Sequence, residues 1–440
     1  MQSYFYELAD YLSGQIKGNE VFTSGYSGES SDFVRFNQSK IRQPGHVEQQ
    51  YMSIDLIDGQ RHAGGFSTLA GNAEEDQRRL SELIEDLRAK IPTLPEDPHL
   101  LYATEVNSTE QIGEAKIPDP DESLARILAA GEGKDLVGIW ASGAVTGGFA
   151  NSLGQRNWFS SHSFNLDWSY YLRTDKAVKT AYAGFEWDQA AFERKVAAAE
   201  VQLTALDHEP KTLTPGNYRV YLAPVALADY VGMLGWGGFG MKSHRTKQTT
   251  LLKMIEDGAT LNPAVTILEN TKDGVSSNFQ GDGFIKPDQV VMIEKGVYKD
   301  CLISPRSARE YGVETNGASG FEAPESFEIA AGDIPTDEIL TRLDTGIWIN
   351  NVWYLNYSDR PGCRITGMTR FACFWVEGGK IVAPINVMRF DETMYRALGE
   401  NLIGLTKEQE MILDSGTYGG RSTGSERIPG ALIEDFTFNL

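Results

Sequence analysis

Hydrophobic residues at helical spacing predict four helices in the first half of the chain. Near the N-terminus, apolar side chains recur three and four positions apart, so they share one helix face. A longer amphipathic helix is predicted over Glu74–Ile91, and it ends at Pro92 because proline cannot continue a helix. Two further helices are predicted over Ser123–Ala130 and Asp188–Leu206. The apolar positions of the first two helices are Phe5, Leu8, Ala9 and Leu12, then Leu80, Leu83, Ile84 and Leu87.

Alternating apolar and polar residues between these helices predict strands. Two extended runs, Ser31–Ile41 and Val47–Ile57, lead to a turn at Asp58-Gly59, which is a typical hairpin signal, and a third run follows at Arg61–Ser67. The stretch 92–120 is rich in proline and acid and is predicted to be a connection. A second block, rich in glycine and aromatic residues, predicts strands at Val137–Ser142, Gly148–Ser152 and Trp158–Leu172.

A short polar segment with two prolines, 207–215, predicts a boundary between two domains, 1–206 and 216–440. After this linker, a strand at Tyr218–Leu222 leads into a helical region, Ala223–Lys253, and a helix is also predicted over Asp391–Ile403. Strands are predicted at Val290–Glu294, Val297–Ile303, Gly346–Asn356, Phe371–Glu377, Lys380–Ile385 and Ala431–Asn439.

These elements predict an α+β protein of two domains. Helices alternate with hairpins in the N-terminal part, which argues against a doubly wound parallel sheet. We therefore expect an N-terminal α/β sandwich-like domain with β-hairpins. The C-terminal domain is expected to be mostly β, with one long helical region.

Composition narrows the classes of function. The formal net charge is −21, from 61 acidic and 40 basic residues, whereas proteins that neutralise a phosphate backbone are more often basic. The sequence has neither a signal-peptide pattern nor an apolar run long enough for a membrane span. Three cysteines without close spacing argue against a disulfide framework. We expect a cytoplasmic protein with reduced thiols and with no nucleic-acid or membrane partner.

Short catalytic motifs are missing from the sequence. No two of the six histidines lie three or four residues apart, so no helix face offers a paired imidazole site for a metal. The segment 235–240 matches G-x-G-x-x-G, but it ends a helical run instead of following a strand, which favours a helix terminus or a glycine turn. There is no G-x-S-x-G nucleophile elbow. A site built from residues distant in sequence stays open.

The order of several segments resembles the TldD/PmbA family, once called modulators of DNA gyrase. Leu222–Lys242 corresponds to the helix that carries a His-Glu-x-x-x-His metal site in the TldD branch, but here the comparable positions are Ala228, Asp229, Tyr230, Val231, Gly232 and Met233. In the C-terminal half, the family's Thr-Gly, aromatic strand and Glu-Gly-Lys-Ile…Pro hairpin are matched by Thr366-Gly367, Phe371–Val376 and Glu377–Pro384. The segment 416–420, where TldD places a late cysteine, contains none.

This resemblance implies a two-domain α+β fold and a PmbA/TldE-type subunit that lacks the metal site. Such a subunit pairs with a TldD-type metallopeptidase that acts on unfolded or modified peptides. We therefore expect no catalytic residue, no metal and no cofactor in this chain. The expected partners are a TldD-type subunit in a heterodimer, or a second copy in a homodimer, and an extended peptide substrate.

The peptide-contacting residues are predicted from one polar loop in a dense C-terminal signature. On physical grounds the signature is a strand, a polar loop and a hairpin, and polar loops on a rigid sheet often bind ligands. A hairpin that binds nothing explains the same pattern. The candidates are Asn356, Asp359, Arg360, Thr366 and Gly367.

Two other functions remain open at the level of sequence. One is an independent hydrolase with an unrecognised site, such as Asp282 with Cys363 or His244. The other is a stand-alone homodimeric protein that binds peptides.

Overall fold

Two β-sheets organise the computed structural model, which describes residues 1–173 and 176–439. Within these residues, one sheet has seven strands and the other eleven. Strands β1 to β7 form the first sheet and come from the N-terminal half. They are β1 (Val21–Asn37), β2 (Lys40–Asp58), β3 (Arg61–Thr68), β4 (Thr109–Ile112), β5 (Asp135–Asn151), β6 (Arg156–Arg173) and β7 (Lys176–Gly184).

The first sheet is built mainly from long antiparallel neighbours in the order β3-β2-β1-β5-β6-β4, with β7 also paired to β6. β1 and β2 form one long hairpin, with Val21 opposite Ile57 and Asn37 opposite Lys40. Among the described strands of this first sheet, β4 alone runs parallel to its neighbour, β6.

Four helices accompany this sheet: α1 (Gln2–Ser13), α2 (Ala73–Lys90), α3 (Pro120–Ala130) and α4 (Gln189–Ala205). Even-numbered residues of β1 bury against them: Phe22 and Tyr26 in a cluster with α1 and α2, Val34 and Phe36 in a cluster with α3 and α4. Because side chains alternate along a strand, the odd-numbered residues of β1 lie on the opposite face.

The second sheet collects the strands of the C-terminal half, mostly antiparallel, with β18 at its centre. β18 pairs with β8, β12, β16 and β17. The strands are β8 (Gly216–Leu222), β9 (Ile267–Glu269), β10 (Val290–Glu294), β11 (Val297–Tyr298), β12 (Ser326–Ile329), β13 (Gly346–Asp359), β14 (Arg364–Glu377), β15 (Lys380–Pro384), β16 (Arg389–Thr393), β17 (Leu402–Leu413) and β18 (Ser425–Phe438).

Short helices connect these strands: α5 (Pro224–Gly232), α6 (Met241–Arg245), α7 (Leu252–Asp257), α8 (Pro305–Tyr311) and α9 (Ile339–Leu343). α5 packs on β13 and β18, and its apolar side chains join the largest hydrophobic cluster of the chain. The two halves also share a core, because Ala372 and Phe374 of β14 lie in the cluster that α3 and α4 cover. None of the described helices is long and apolar enough to cross a membrane.

The α+β class with two sheets is confirmed, and so are all four N-terminal helices. The predicted helical region Ala223–Lys253 is instead divided into separate short helices, because a glycine-rich turn follows α5 and its 3₁₀ extension at Met233–Gly235. Nothing in the fold fixes the predicted domain boundary at 207–215, which stays a prediction.

The predicted helix Asp391–Ile403 is wrong. The segment begins in β16, passes through a π-helical turn at Arg396–Glu400 and continues into β17. Phe390, Glu392 and Met394 are all buried, which is the alternation of a strand. The sequence did not indicate this alternation, because an acidic residue such as Glu392 is normally expected at an exposed position.

Several strand boundaries were also wrong. The predicted run Ser31–Ile41 crosses the turn at Gln38-Ser39, both of which adopt positive φ. The predicted strands Val137–Ser142 and Gly148–Ser152 are one continuous strand, β5, because its glycines stay paired on both sides. β11 covers only the start of the predicted strand Val297–Ile303, and β4 and β7 were missed.

Candidate functional site

A cavity of about 480 Å³ opens beside α5, and we name it the α5 cavity. Asp229 and Gly232 of α5 form one wall, and Trp236 and Leu355 form an apolar wall. The remaining walls come from the segment 324–327, from the end of β17 and from the start of β18. The helix that resembles the family's metal-binding helix therefore faces an open space.

Two carboxylates with raised pKa values face this space. Burial and, to a smaller extent, the neighbouring charge of Asp229 together raise the pKa of Glu426 on β18 to about 7. Burial also raises the pKa of Asp229 to about 6, while the ammonium of Lys179 acts in the opposite direction. Asp229 is exposed toward the cavity, so the enclosing walls rather than a dry core restrict the hydration of its carboxylate.

Gly232 brings the helix close to Glu426. A Cβ placed on Gly232 would lie 3.9 Å from Oε1 of Glu426, which is ordinary van der Waals contact. The carboxylate of Glu426 therefore sits directly over α5. Two carboxylates that carry pKa values near neutrality can hold and release a proton between them at physiological pH.

The donors in the α5 cavity do not fit a zinc site of the His/His/Cys kind. In the stretch 228–233, Asp229 is the one carboxylate, and Ala228, Tyr230 and Val231 are buried packing residues. Within residues 1–173 and 176–439, no group of three or more His, Cys, Asp or Glu side chains is arranged to hold a metal ion. Zinc prefers nitrogen and sulfur ligands in tetrahedral sites, and carboxylates alone supply neither.

The alternative catalytic groups are not brought together. Burial raises the pKa of Asp282, and the groups that also act on this pKa are Gln280, which lowers it, and Asp55 and His62 of the N-terminal sheet. The Cys363 thiol is fully buried, and burial raises its pKa to about 12. The ring of His244 contacts the Gly238 carbonyl at 2.7 Å and the Tyr298 hydroxyl at 3.3 Å. A buried thiol of high pKa is a poor nucleophile.

The five predicted peptide-contacting residues lie on one arm, the β13–β14 hairpin. Asn356 on β13 stands opposite Thr366 on β14, and the turn between the strands includes Arg360. The Asp359 carboxylate accepts the Gly362 N–H at 3.2 Å, which closes that turn. A Cβ on Gly367 would lie 2.6 Å from the Phe390 ring, so packing requires glycine here.

Arg360 links this turn to the wall of the α5 cavity. Its guanidinium donates to the carbonyl of Trp236 and, at 3.0 Å, to the carbonyl of Gln248. It also stacks on the Tyr357 ring, 5.3 Å from the centroid. The G-x-G-x-x-G segment beside it forms the predicted glycine turn, with Gly237 at φ +85°. Arg360 thus fixes the wall that carries Trp236.

A larger cleft of about 850 Å³ lies between α4 and the second sheet and meets the α5 cavity at Val225. Its walls carry opposite charges that partly neutralise each other, as in the ion pair of Lys195 with Glu410 at 2.8 Å. Because these charges are paired, we interpret the cleft as a contact between the two halves of the chain and not as a ligand site.

Sequence reasoning missed Glu426 and did not assign Asp229 to a site. The signal for Asp229 was available, because it is the single charge in the apolar run 222–234. No local pattern singles out Glu426, which reaches the cavity through the pairing of β18 with β8 and β17.

Comparisons with known proteins agree with the resemblance seen in the sequence. A search of curated proteins finds none that matches. Among solved structures, TldE from Thermococcus kodakarensis aligns with a TM-score of 0.79 at 14% identity, covering 99% of this chain and 100% of that one. A candidate modulator of a DNA gyrase from Thermotoga maritima MSB8 aligns with a TM-score of 0.78 at 16% identity, covering 99% and 100%.

A third structure, a candidate modulator of DNA gyrase from Bacteroides thetaiotaomicron VPI-5482, aligns with a TM-score of 0.74 at 15% identity and covers 99% of this chain and 98% of that one. At these identities the likeness concerns the fold. The family model for the PmbA/TldA metallopeptidase C-terminal domain matches residues 215–439, just over half of the chain. The chain belongs to the PmbA/TldD family.

Proposed function

We propose that this chain is a non-catalytic TldE-type subunit that completes the cleft of a TldD-type metallopeptidase acting on unfolded or modified peptides. The observation that carries the proposal is the α5 cavity. The helix at the family's metal position faces a ligand-sized cavity whose acidic donors are carboxylates instead of a His/His/Cys zinc-binding set. These carboxylates belong to Asp229, Glu325, Asp414 and Glu426. Such a cavity can receive a peptide without cleaving it.

The β13–β14 arm supports a role in holding an extended peptide. β8 pairs with β13 only at Ile347–Ile349, so the outer edge of the following residues carries no neighbouring strand within the described chain. Trp353 and Tyr354 on this edge are 50% and 74% exposed. An unfolded peptide can add to such an edge through its backbone hydrogen bonds. Asn356, Asp359, Arg360, Thr366 and Gly367 remain our proposed contact region.

The test is cleavage of an unfolded peptide by this chain together with a TldD-type subunit and by each protein separately. We expect activity from the pair, none from this chain, and a stable complex of the two in size-exclusion chromatography. Activity from this chain alone, or stoichiometric zinc in the purified chain, would refute the proposal. A stable homodimer that binds peptide and ignores the TldD-type subunit would instead support the stand-alone binding protein.

A second candidate, an independent hydrolase, is favoured by the two raised pKa values. A carboxylic acid and a carboxylate near pH 7 can act as general acid and base. If this candidate holds, the chain alone cleaves peptides, and both Asp229→Asn and Glu426→Gln abolish the activity. Asp337→Asn is the matched control, since Asp337 lies outside the α5 cavity.

The remaining expectations stand as parts of this proposal. We place the domain boundary at 207–215, so that 1–206 and 216–440 form the two domains. We place the protein in the cytoplasm, where the three buried and unpaired thiols of Cys301, Cys363 and Cys373 stay reduced.

A further inference from the structure

The segment between β17 and β18, Asp414–Gly424, crosses the face of the first sheet that the helices leave open, and we name it the crossing loop. The Glu29 carboxylate accepts the Arg421 N–H at 3.1 Å, and Gln49 donates to the Gly419 carbonyl at 2.9 Å. Gly419 adopts φ +86°, which glycine allows without strain. The loop is therefore held down on β1 and β2.

The guanidinium of Arg421 anchors the crossing loop through hydrogen bonds to neutral oxygens, and it forms no ion pair with a carboxylate among the described residues. Its guanidinium donates to the Gly143 carbonyl at 3.2 Å, to the Ser163 carbonyl at 3.0 Å, and to the hydroxyls of Ser163 at 2.7 Å and Ser31 at 3.5 Å. All four acceptors are neutral, and burial lowers the pKa of Arg421. Because arginine stays protonated in proteins, this positive charge lacks a directly bonded counter-charge among the described residues.

A cavity of about 230 Å³ lies beside this anchor, and we name it the loop cavity. Phe33, Val47 and Ala141 give it an apolar floor, while Arg35, Gln43 and Arg421 supply donors. The side chain of Arg35 is exposed and makes no hydrogen bond or ion pair with any residue that the structure describes.

One carboxylate, that of Glu29, also lines the loop cavity. Its Oε2 atom already accepts from Gln49 at 2.9 Å and from the Arg421 backbone. The two guanidinium groups outnumber this single carboxylate, so the side chains that line the loop cavity carry a net positive charge. The chain as a whole has a formal net charge of −21. Guanidinium groups bind carboxylates through paired N–H donors.

We propose that the loop cavity binds a carboxylate of a peptide ligand on the exposed guanidinium of Arg35, beside the enclosed positive charge of Arg421. The proposal rests on the peptide-handling role above and adds a substrate preference to it. The volume is below that of a drug-sized pocket, roughly 300 Å³ upward, so one terminal residue or one acidic side chain fills it. The crossing loop separates this cavity from the α5 cavity, to which its end residues Asp414 and Gly424 belong.

The test measures binding of a short fluorescein-labelled peptide to the full chain by fluorescence anisotropy. Three probes are compared: the peptide with a free C-terminal carboxylate, its C-terminal amide, and the amide with one internal glutamate. Arg35→Gln removes one guanidinium from an exposed site, and Arg42→Gln is the matched control, because Arg42 is also exposed on the hairpin but does not line the cavity.

We expect a carboxylate-bearing probe to bind roughly tenfold more tightly than the plain amide. Tight binding of the free acid assigns the site to a peptide C-terminus, and tight binding of the glutamate probe assigns it to an acidic side chain. Arg35→Gln should remove the preference and Arg42→Gln should keep it. Equal binding of all probes, equal effects of the two substitutions, or no binding would each overturn the inference.

This outcome is independent of the cleavage experiment with the TldD-type subunit. A carboxylate preference without activation of a partner would retain the loop cavity and reject the subunit role. Activation without a carboxylate preference would do the reverse.

Discussion

The α5 cavity and the loop cavity lie on two sides of the crossing loop, and the charged groups in them are stabilised by different means. Asp229 and Glu426 can neutralise by keeping their protons, and their raised pKa values show that enclosure favours this. Arg421 has no such option, so it must be surrounded by carbonyl and hydroxyl oxygens. The charge of the α5 cavity therefore changes with pH. The charge of the loop cavity stays positive, and its stability depends on the placement of the oxygen atoms that accept hydrogen bonds from Arg421.

The largest effect is expected from Arg421→Ala. The substitution leaves four acceptors without their donor and frees the crossing loop. It should therefore lower the free energy of opening of the loop by about 2 kcal/mol, which corresponds to a roughly thirtyfold increase in the opening equilibrium. Hydrogen exchange of amides 414–424, measured by mass spectrometry, reports this opening. The control is Arg427→Ala, which removes a single bond to the Asp273 carbonyl at 3.2 Å. Equal exchange in both variants would show that Arg421 is not the anchor.

Glu426→Gln tests whether the acidic cavity responds to pH. Between about pH 4.5 and 7 the folded chain keeps a proton on Glu426 that the unfolded chain has released, so this group lowers the free energy of unfolding as pH rises through that window. Glutamine does not ionise. The variant should therefore be more stable than the wild type above pH 7, on the order of 1 kcal/mol after allowance for solvent screening, and equally stable near pH 4.

Urea unfolding at several pH values measures this difference. Raised groups that do not line the α5 cavity, such as Glu269, contribute equally to both proteins and cancel. Glu105→Gln, at an exposed position, is the control and should shift stability equally at all pH values. A pH-independent difference for Glu426→Gln would mean that Glu426 titrates normally.

Arg360→Ala tests how the wall of the α5 cavity is held. Loss of the bonds to the carbonyls of Trp236 and Gln248 should cost about 1 kcal/mol in urea unfolding. It should also weaken peptide binding, because the Trp236 wall loses its support. Arg389→Ala, which removes one bond to the Thr366 hydroxyl at 3.2 Å, is the comparison. Unchanged binding in both variants would separate this arm from the peptide site.

The smallest effect on stability is expected from Arg35→Gln. An exposed side chain without a protein partner should change the free energy of unfolding by less than about 0.5 kcal/mol. Together with the binding experiment, this result would separate ligand recognition from folding in the loop cavity. A loss comparable to that expected for Arg360→Ala in the same urea titration would show that Arg35 supports the fold instead.

Local patterns predicted the elements whose apolar face is complete within one segment. Phe5, Leu8, Ala9 and Leu12 are all buried in α1, as their spacing requires. The predicted strands Phe371–Glu377 and Lys380–Ile385 form a hairpin, and both glycines of the turn between them, Gly378 and Gly379, adopt positive φ. The prediction over Asp391–Ile403 failed because the buried Glu392 carboxylate accepts hydrogen bonds from the backbone and hydroxyl of Thr437, which lies far outside any local window.

The sequence by itself determined the α+β class, the N-terminal helices and the family, because these depend on periodicity and on the order of short segments. Tertiary structure alone decided which charges share a cavity. Glu426 meets Asp229 through strand pairing, and Arg421 meets Arg35 because the crossing loop lies on the open face of the first sheet. The pKa of an enclosed group depends on neighbours brought from distant segments, and no local pattern encodes them.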